Sequence, residues 1–374
     1  MIRDGKIAAV GKVAAPAGAK IIDGKGKVVT AGLIEASSML GLIEIDLEGS
    51  GNDGRFSTSP TEVHAAYRSS EAFDPHSAAI AVARAGGVTS SVIGPRGGLV
   101  AGQAAFISLG GATPLRATVA MQAALGPGAS SMGSRGYAAL RLRELFDDVD
   151  AYRKNRGGFE RNQARRLAAN RLDLEALIPV LEGRVLLVIS ASSEVDIRAA
   201  LAIAAERKLK IAISNGDEAW RVAKELAAAK VPVMLDPTAN LPGNITAADV
   251  RDDNATLLTK AGVKVAISTL GSTSMVRTIR QLAGIAVANG LSWAEGLASI
   301  TTVPAQIYGL DRGTLDQGKP ADVVLWSGDP LELSTRVEVV ITGGVVQSLA
   351  SHQTRLRDRY RTLKPLPAPA STPR

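Results

Sequence analysis

Between residues 185 and 290 the chain writes the same unit four times, an unbroken apolar run of strand length followed by a segment with helical spacing. VLLVIS (185–190) precedes SEVDIRAALAIAAERK, and KIAIS (210–214) precedes DEAWRVAKELAAAK. VPVMLD (231–236) precedes TAADVRDDNATLLTKAG, and VKVAIST (263–269) precedes TSMVRTIRQLAGIAVANG. A strand that alternates polar and apolar residues has one wet face; an unbroken Val/Ile/Leu run is buried on both, as when helices cover a parallel sheet. Ser193 with Asp196 three residues on marks a helix start. Upstream, PHSAAIAVARAGG (75–87) reads as a helix ending at glycine, VTSSVIG (88–94) as the strand after it, and GQAAFISLGG and LRATVAM as two more short strands. The strand count and a span of roughly 280 residues favour a (β/α)8 barrel over a doubly wound sheet. No GxGxxG lies at a strand-to-helix turn and no GxxxxGK[ST] occurs, which removes both nucleotide fingerprints.

The ends of the chain have another texture. IRDGKIAAVG and AKIIDGKGKVVTAG at the start, and GTLDQGKPADVVLWSG and VEVVITGGVVQS near the finish, are short strands with Asp-Gly and Gly-Lys turns. The expected division is a small composite β-sandwich from residues 1–30 plus 311–350, a barrel over 31–310, and a basic, Pro-rich, disordered tail over 351–374. Aromatics are only 3% against 46% hydrophobic residues, so the core must be aliphatic.

Two residue counts limit the chemistry. There is no cysteine, which excludes disulfides, thiolate nucleophiles and cysteine-held zinc. The three histidines are His64, His76 and His352, so none lies between residues 77 and 351. The formal charge of +7 is concentrated: residues 151–171 carry +6 and residues 351–374 carry +5, leaving −4 for the rest. Such segments suit phosphates or acidic partners, but a solvated helix and a solvated tail explain them more simply. No apolar run approaches the roughly 18 residues of a membrane span, and MIRDGKIAAVG lacks the apolar core of a signal peptide. A cytoplasmic protein is expected from the chain as given, and an exported one if its natural start lies upstream of Met1.

The frame RDGKIAAVG, then GKVVTAGLIEA, then TTVPAQIYGLDRGTLDQGKPADVVLWSGDPLE resembles the amidohydrolase superfamily in its imidazolonepropionase-like branch, over about residues 2 to 348. The most specific part is Pro304, Ala305, Gly309 and Leu310 followed by Gly318, Lys319, Ala321 and Asp322. The resemblance implies a barrel with a composite β-sandwich, and metal-dependent hydrolysis of cyclic amides and related C–N bonds. Such a metal, zinc or another divalent ion, lowers the pKa of its bound water to about 7 and polarises the scissile carbonyl. The family holds it at the C-terminal strand ends with His-x-His on the first strand, histidines or a lysine on middle strands and an aspartate on the last.

Here those positions fall on Ser37 and Met39, on Ser190 and Asn215, and on Leu270. Neutral oxygens, a thioether and a hydrocarbon do not make a tight zinc site, and the histidine-free interval rules out a middle-strand histidine in any register. No metal ligand, catalytic residue or cofactor is therefore expected. Other pocket candidates are Glu35, Ser192, Asp217 and Asp236; Asp217 and Glu218 also suit the start of the helix DEAWRVAKEL. His64 and His76 read as surface imidazoles, and Ser37, Ser190 and Ser192 lack the base that activates a serine.

The expectation is an amidohydrolase-fold protein without hydrolysis, acting as a binding, regulatory or assembly subunit in a homo- or hetero-oligomer, with an active paralogue as one candidate partner. Two alternatives stand beside it: an active hydrolase with a metal-free or rearranged site, and a polyanion binder using residues 151–171 and 351–374. Two aromatics, Tyr152 and Phe159, do not make a stacking platform for nucleic acid.

Overall fold

A computed structural model describes the chain except residues 46, 57–61, 127–128, 130–132, 162, 164, 243–246 and 362–374. Eight strands follow one another around a single sheet: β1 (Leu33–Ser38), β2 (Val88–Ile93), β3 (Val100–Ser108), β4 (Arg116–Ala124), β5 (Leu186–Ala191), β6 (Ile211–Asn215), β7 (Val233–Leu235) and β8 (Val265–Ile267). Neighbours pair in parallel except around β3, which is antiparallel to both β2 and β4. A parallel connection needs a dozen or more residues for its crossover, and the six residues GPRGGL between β2 and β3 allow only a reversal. This hairpin departs from a strict βα repeat and places a tight loop at the mouth of the barrel.

The side chains along the strands divide between two cores. Leu187 and Ile189 of β5, with Ile213, Leu235 and Ile267, pack outward against the surrounding helices. Val188, Ala212, Met234 and Ala266 pack inward with Ile34, Ala36, Val92, Ala104 and Phe106. Both faces are therefore dry, which accounts for the unbroken apolar runs. Alanine dominates the inner layer because eight converging strands leave little room. The helix Thr302–Tyr308 supplies the remaining volume by sending Ala305 and Tyr308 into the inner cluster. The Tyr308 hydroxyl donates to the Ala36 carbonyl at 2.8 Å. The PAQIYGL motif is thus a stopper, ended by Gly309 in the left-handed region at φ 60°.

No ladder joins β8 to β1; a buried carboxylate does. Glu35, 0% exposed, accepts from Ser37 N at 3.0 Å, Thr269 N at 3.1 Å, Thr269 Oγ1 at 2.9 Å and Ser268 Oγ. Gly271 N adds a bond to the Ser37 carbonyl at 2.7 Å.

Strands from both ends make a separate four-stranded antiparallel sheet, Val345–Val346, Val337–Thr342, Val323–Trp326 and Val28–Ala31 in that order. Asp4 and Gly5, both at positive φ, turn the hairpin Ile2–Arg3/Lys6–Ile7. Trp326 is fully buried where this sheet meets the barrel, its Nε1 donating to Thr30 Oγ1 at 2.9 Å. The disordered tail expected from residue 351 is corrected in its first part: His352–Tyr360 is a helix, opened by a capping box between Ser351 and Thr354. Its prolines, from Pro365 on, lie outside the described residues. Among the described residues no helix is long and apolar enough to cross a membrane.

Candidate active-site mouth

The barrel mouth is formed by the ends of β1, β5, β6, β7 and β8 and by the loop between β2 and β3. A bulge between Glu35 and Ser38 shifts the register of β1 against β2. Ser37 consequently faces the loop, and its Oγ accepts from Arg96 Nη2 at 3.2 Å. Met39, the second position of the expected His-x-His pair, is elsewhere: it is 1% exposed and belongs to the outer core. The bulge separates two side chains that regular strand alternation would put on one face.

Arg96 is the residue that sequence reasoning missed. Its backbone is fixed by Arg96 N to Gly54 O at 2.8 Å and Phe56 N to Arg96 O at 2.9 Å. Its guanidinium lies against Gly271, where φ is +90° and an added Cβ would come within 2.2 Å of Nε. Leu270, at φ 48°, is the preceding residue of this turn and packs beside the inner cluster. The position expected to have lost an aspartate therefore belongs to a turn that makes room for an arginine. Burial lowers the Arg96 pKa from its ordinary value, while the nearby Glu35 carboxyl opposes that shift. No carboxylate of the described residues lies within ion-pair distance of it. Burial pushes the Glu35 carboxyl up, against the lowering effect of its hydrogen bonds from Ser268, Ser37 and Thr269.

Beside Arg96 is a cavity of about 80 Å³ that also touches Gln122, Ser190 and Ser214. Ser190 Oγ donates to Asn215 Oδ1 at 3.0 Å. Asn215 itself is held at φ 76°, a conformation asparagine tolerates better than most residues. Ser214 is 2% exposed and its Oγ has no hydrogen-bond partner. Farther round the rim, burial raises the Asp217 pKa, a hydrogen bond from Ser192 lowers it, and the charges of Asp236 and Glu218 raise it again. Asp236 accepts from Thr238 N at 2.8 Å and Thr238 Oγ1 at 2.6 Å. Larger grooves exist away from the strand ends, among them one of about 960 Å³ beside the helix Ala78–Ala85.

Several sequence expectations change here. Glu35 faces no open pocket; it closes the barrel seam. Glu218 caps not its own helix but the neighbouring one, accepting from Glu194 N at 2.9 Å and Asp249 N at 3.0 Å. His64 is half-buried and packs at a tilt of 38° against Phe56 with ring centroids 4.7 Å apart, whereas His76 and His352 are exposed. In the basic stretch 151–171, Arg153, Arg156, Arg165 and Arg171 all form ion pairs, so much of its charge is already engaged.

The residues at the mouth do not fit a divalent metal. Ser37, Ser190 and Asn215 offer neutral oxygens, Leu270 offers none, and the donor nearest the first-strand position carries a guanidinium cation 3.2 Å away. Among the described residues no three His, Cys, Asp or Glu side chains gather where they could hold a metal ion.

Comparison with known proteins agrees with the architecture. Residues 200–351 match the amidohydrolase family. The solved structure of an amidohydrolase from Thermotoga maritima MSB8 superposes with a TM-score of 0.84 at 28% identity, covering 92% of this chain and 94% of that one. A structure of molinate hydrolase, at 16% identity and TM-score 0.58 over 92% of this chain and 89% of that one, shares the fold. No curated protein matches the sequence.

Proposed function

We propose that this chain, which belongs to the amidohydrolase superfamily, has exchanged metal-dependent hydrolysis for binding, and that it acts as a regulatory or assembly subunit without metal or cofactor. One observation carries this proposal: the Arg96 guanidinium is packed against Ser37 Oγ and Gly271 at the place where the family's first-strand ligand would hold its ion. A fixed positive charge at that distance repels a divalent cation. Without the ion, water at the mouth keeps its ordinary pKa and the scissile carbonyl is not polarised. The small cavity beside Arg96 adds to this, because about 80 Å³ encloses a few waters but not a whole cyclic amide.

The test is elemental analysis of the purified protein together with thermal unfolding in added zinc or manganese. Less than stoichiometric metal, and no rise in unfolding temperature, is expected. One tightly held ion per chain that is lost on Ser37→Ala would refute the proposal. Co-purification of a defined partner, or of higher oligomers, is the corresponding positive result.

A second reading has its own support. Asp217, with its pKa raised by burial and by the neighbouring charges of Asp236 and Glu218, resembles the paired acids that perform acid/base chemistry without metal. Hydrolysis of cyclic amides by the metal-free protein, abolished in both Asp217→Asn and Asp236→Asn, would favour this alternative.

A further inference from the structure

We infer that the cavity beside Arg96 is a binding site for a small carboxylate, of the size of formate or acetate. It rests on the metal-free mouth proposed above, but it names a ligand where that reading names none.

Four features converge. Arg96 is a partly buried guanidinium whose hydrogen bond is to a neutral hydroxyl, Ser37 Oγ at 3.2 Å. A guanidinium withdrawn from water is costly unless a charged acceptor faces it, and its planar fork matches a carboxylate. The carboxyl that influences it, Glu35, has its oxygens occupied by four donors, three of them across the barrel seam, and cannot also serve as the partner. Ser214 Oγ is buried on the cavity wall without a partner, and native interiors rarely leave a hydroxyl so placed. The Gln122 amide and Ser190 supply further polar contacts on the same wall.

Size then selects among anions. A cavity of about 80 Å³ holds roughly three or four non-hydrogen atoms with their contacts, so formate and acetate fit within it while a cyclic amide or a nucleotide extends beyond it. Ala123 and Ala124 on the lining suit the methyl end of acetate. The Asp217 and Asp236 carboxylates are not part of this lining.

The test uses 13C-labelled acetate and the full-length protein, with binding followed by carbon line broadening and by thermal unfolding against sodium chloride at equal ionic strength. Saturable binding with a dissociation constant of about 1–10 mM is expected for one charge-assisted pair in a small site. Arg96→Met should weaken it at least about tenfold, and Ser214→Ala by about two- to fivefold. If Arg96→Met does not fold, Gly271→Ala serves instead, since the added methyl displaces the guanidinium without removing it. Propionate should bind less tightly than acetate as the methylene overfills the cavity. Equal response to acetate and chloride, or binding unchanged in Arg96→Met and Gly271→Ala, overturns the inference. Metal at one ion per chain with acetate still bound would defeat the metal-free mouth alone; metal-free protein that ignores acetate would defeat only the carboxylate site.

Discussion

Replacing Glu35 should open the barrel where it is least well laddered. β1 and β8 lack a strand-to-strand ladder, and the Glu35 carboxyl answers three donors across that seam and a fourth, Ser37 N, within β1. In Glu35→Ala, Ser268 Oγ can turn toward the Ser37 carbonyl, already 3.3 Å away. The Ser37 and Thr269 amides cannot turn, and each buried N–H without an acceptor costs about 1–3 kcal/mol. The vacated side-chain volume adds about 1–2 kcal/mol, and release of the buried carboxyl offsets part of the total. A net loss of about 3–5 kcal/mol is expected. Glu35→Gln preserves the volume and two acceptor lone pairs but turns an NH2 toward donors, for a loss of about 1–3 kcal/mol.

The pH dependence supplies an independent check. Burial raises the folded-state pKa of Glu35 above its unfolded value. A carboxyl of this kind binds its proton more tightly when folded, so its contribution is fully present below about 4.5 and declines as pH rises through the folded value. The stability of the wild type relative to Glu35→Gln should therefore fall on going from about pH 4.5 upward. Urea unfolding followed by tryptophan fluorescence, with Trp326 in the small sheet as one reporter, measures both quantities. A Glu35→Ala protein within about 0.5 kcal/mol of wild type would refute the seam, and a relative stability that rises with pH would refute the direction of the shift.

Three further perturbations probe neighbouring parts of the fold. Gly87→Ala sets a methyl 2.3 Å from Trp326 Cη2 at a backbone φ of +91°; it should cost about 2–4 kcal/mol by urea unfolding, with altered Trp326 fluorescence. Tyr308→Phe removes the hydroxyl that donates to Ala36 O in the stopper, and a loss of about 1–2 kcal/mol is expected by the same assay. Arg165 pairs with Asp148, which is 0% exposed and otherwise accepts from Ala168 N at 2.6 Å. Arg165→Ala should thus lower the unfolding midpoint while leaving retention on heparin unchanged, the opposite of what a polyanion-binding surface requires.

The alternating units from β5 to β8 were legible because both faces of each strand are buried, which leaves a periodicity that chemistry alone can read. The segment Pro304 to Leu310 was legible only as the most specific part of the family resemblance; that its helix plugs the barrel depends on contacts of Ala305 and Tyr308 with distant strands. The bulge in β1 was not legible. It arises from how β1 meets β2, and without it Met39 looks like a partner for Ser37 when it is part of the outer core. Contacts between residues far apart in sequence, such as Glu35 with Ser268 or Arg96 with Ser37, leave no local pattern at all.

Arg96 nevertheless had a readable signal of a different kind. Six residues cannot carry a helical crossover, so GPRGGL had to be a reversal, and a reversal after β2 delivers its central arginine to the strand ends that form the mouth. The cation comes from a loop outside the positions that the family resemblance singles out, and it needs Gly271 at positive φ to lie down beside Ser37. These two residues depend on each other. A histidine at position 37 would meet the guanidinium, and a side chain at 271 would expel it. On the metal-free reading proposed above, Ser37→His alone should therefore leave the purified protein without stoichiometric zinc by elemental analysis, because the guanidinium stands where the ion would need to sit; one zinc per chain would refute that reading.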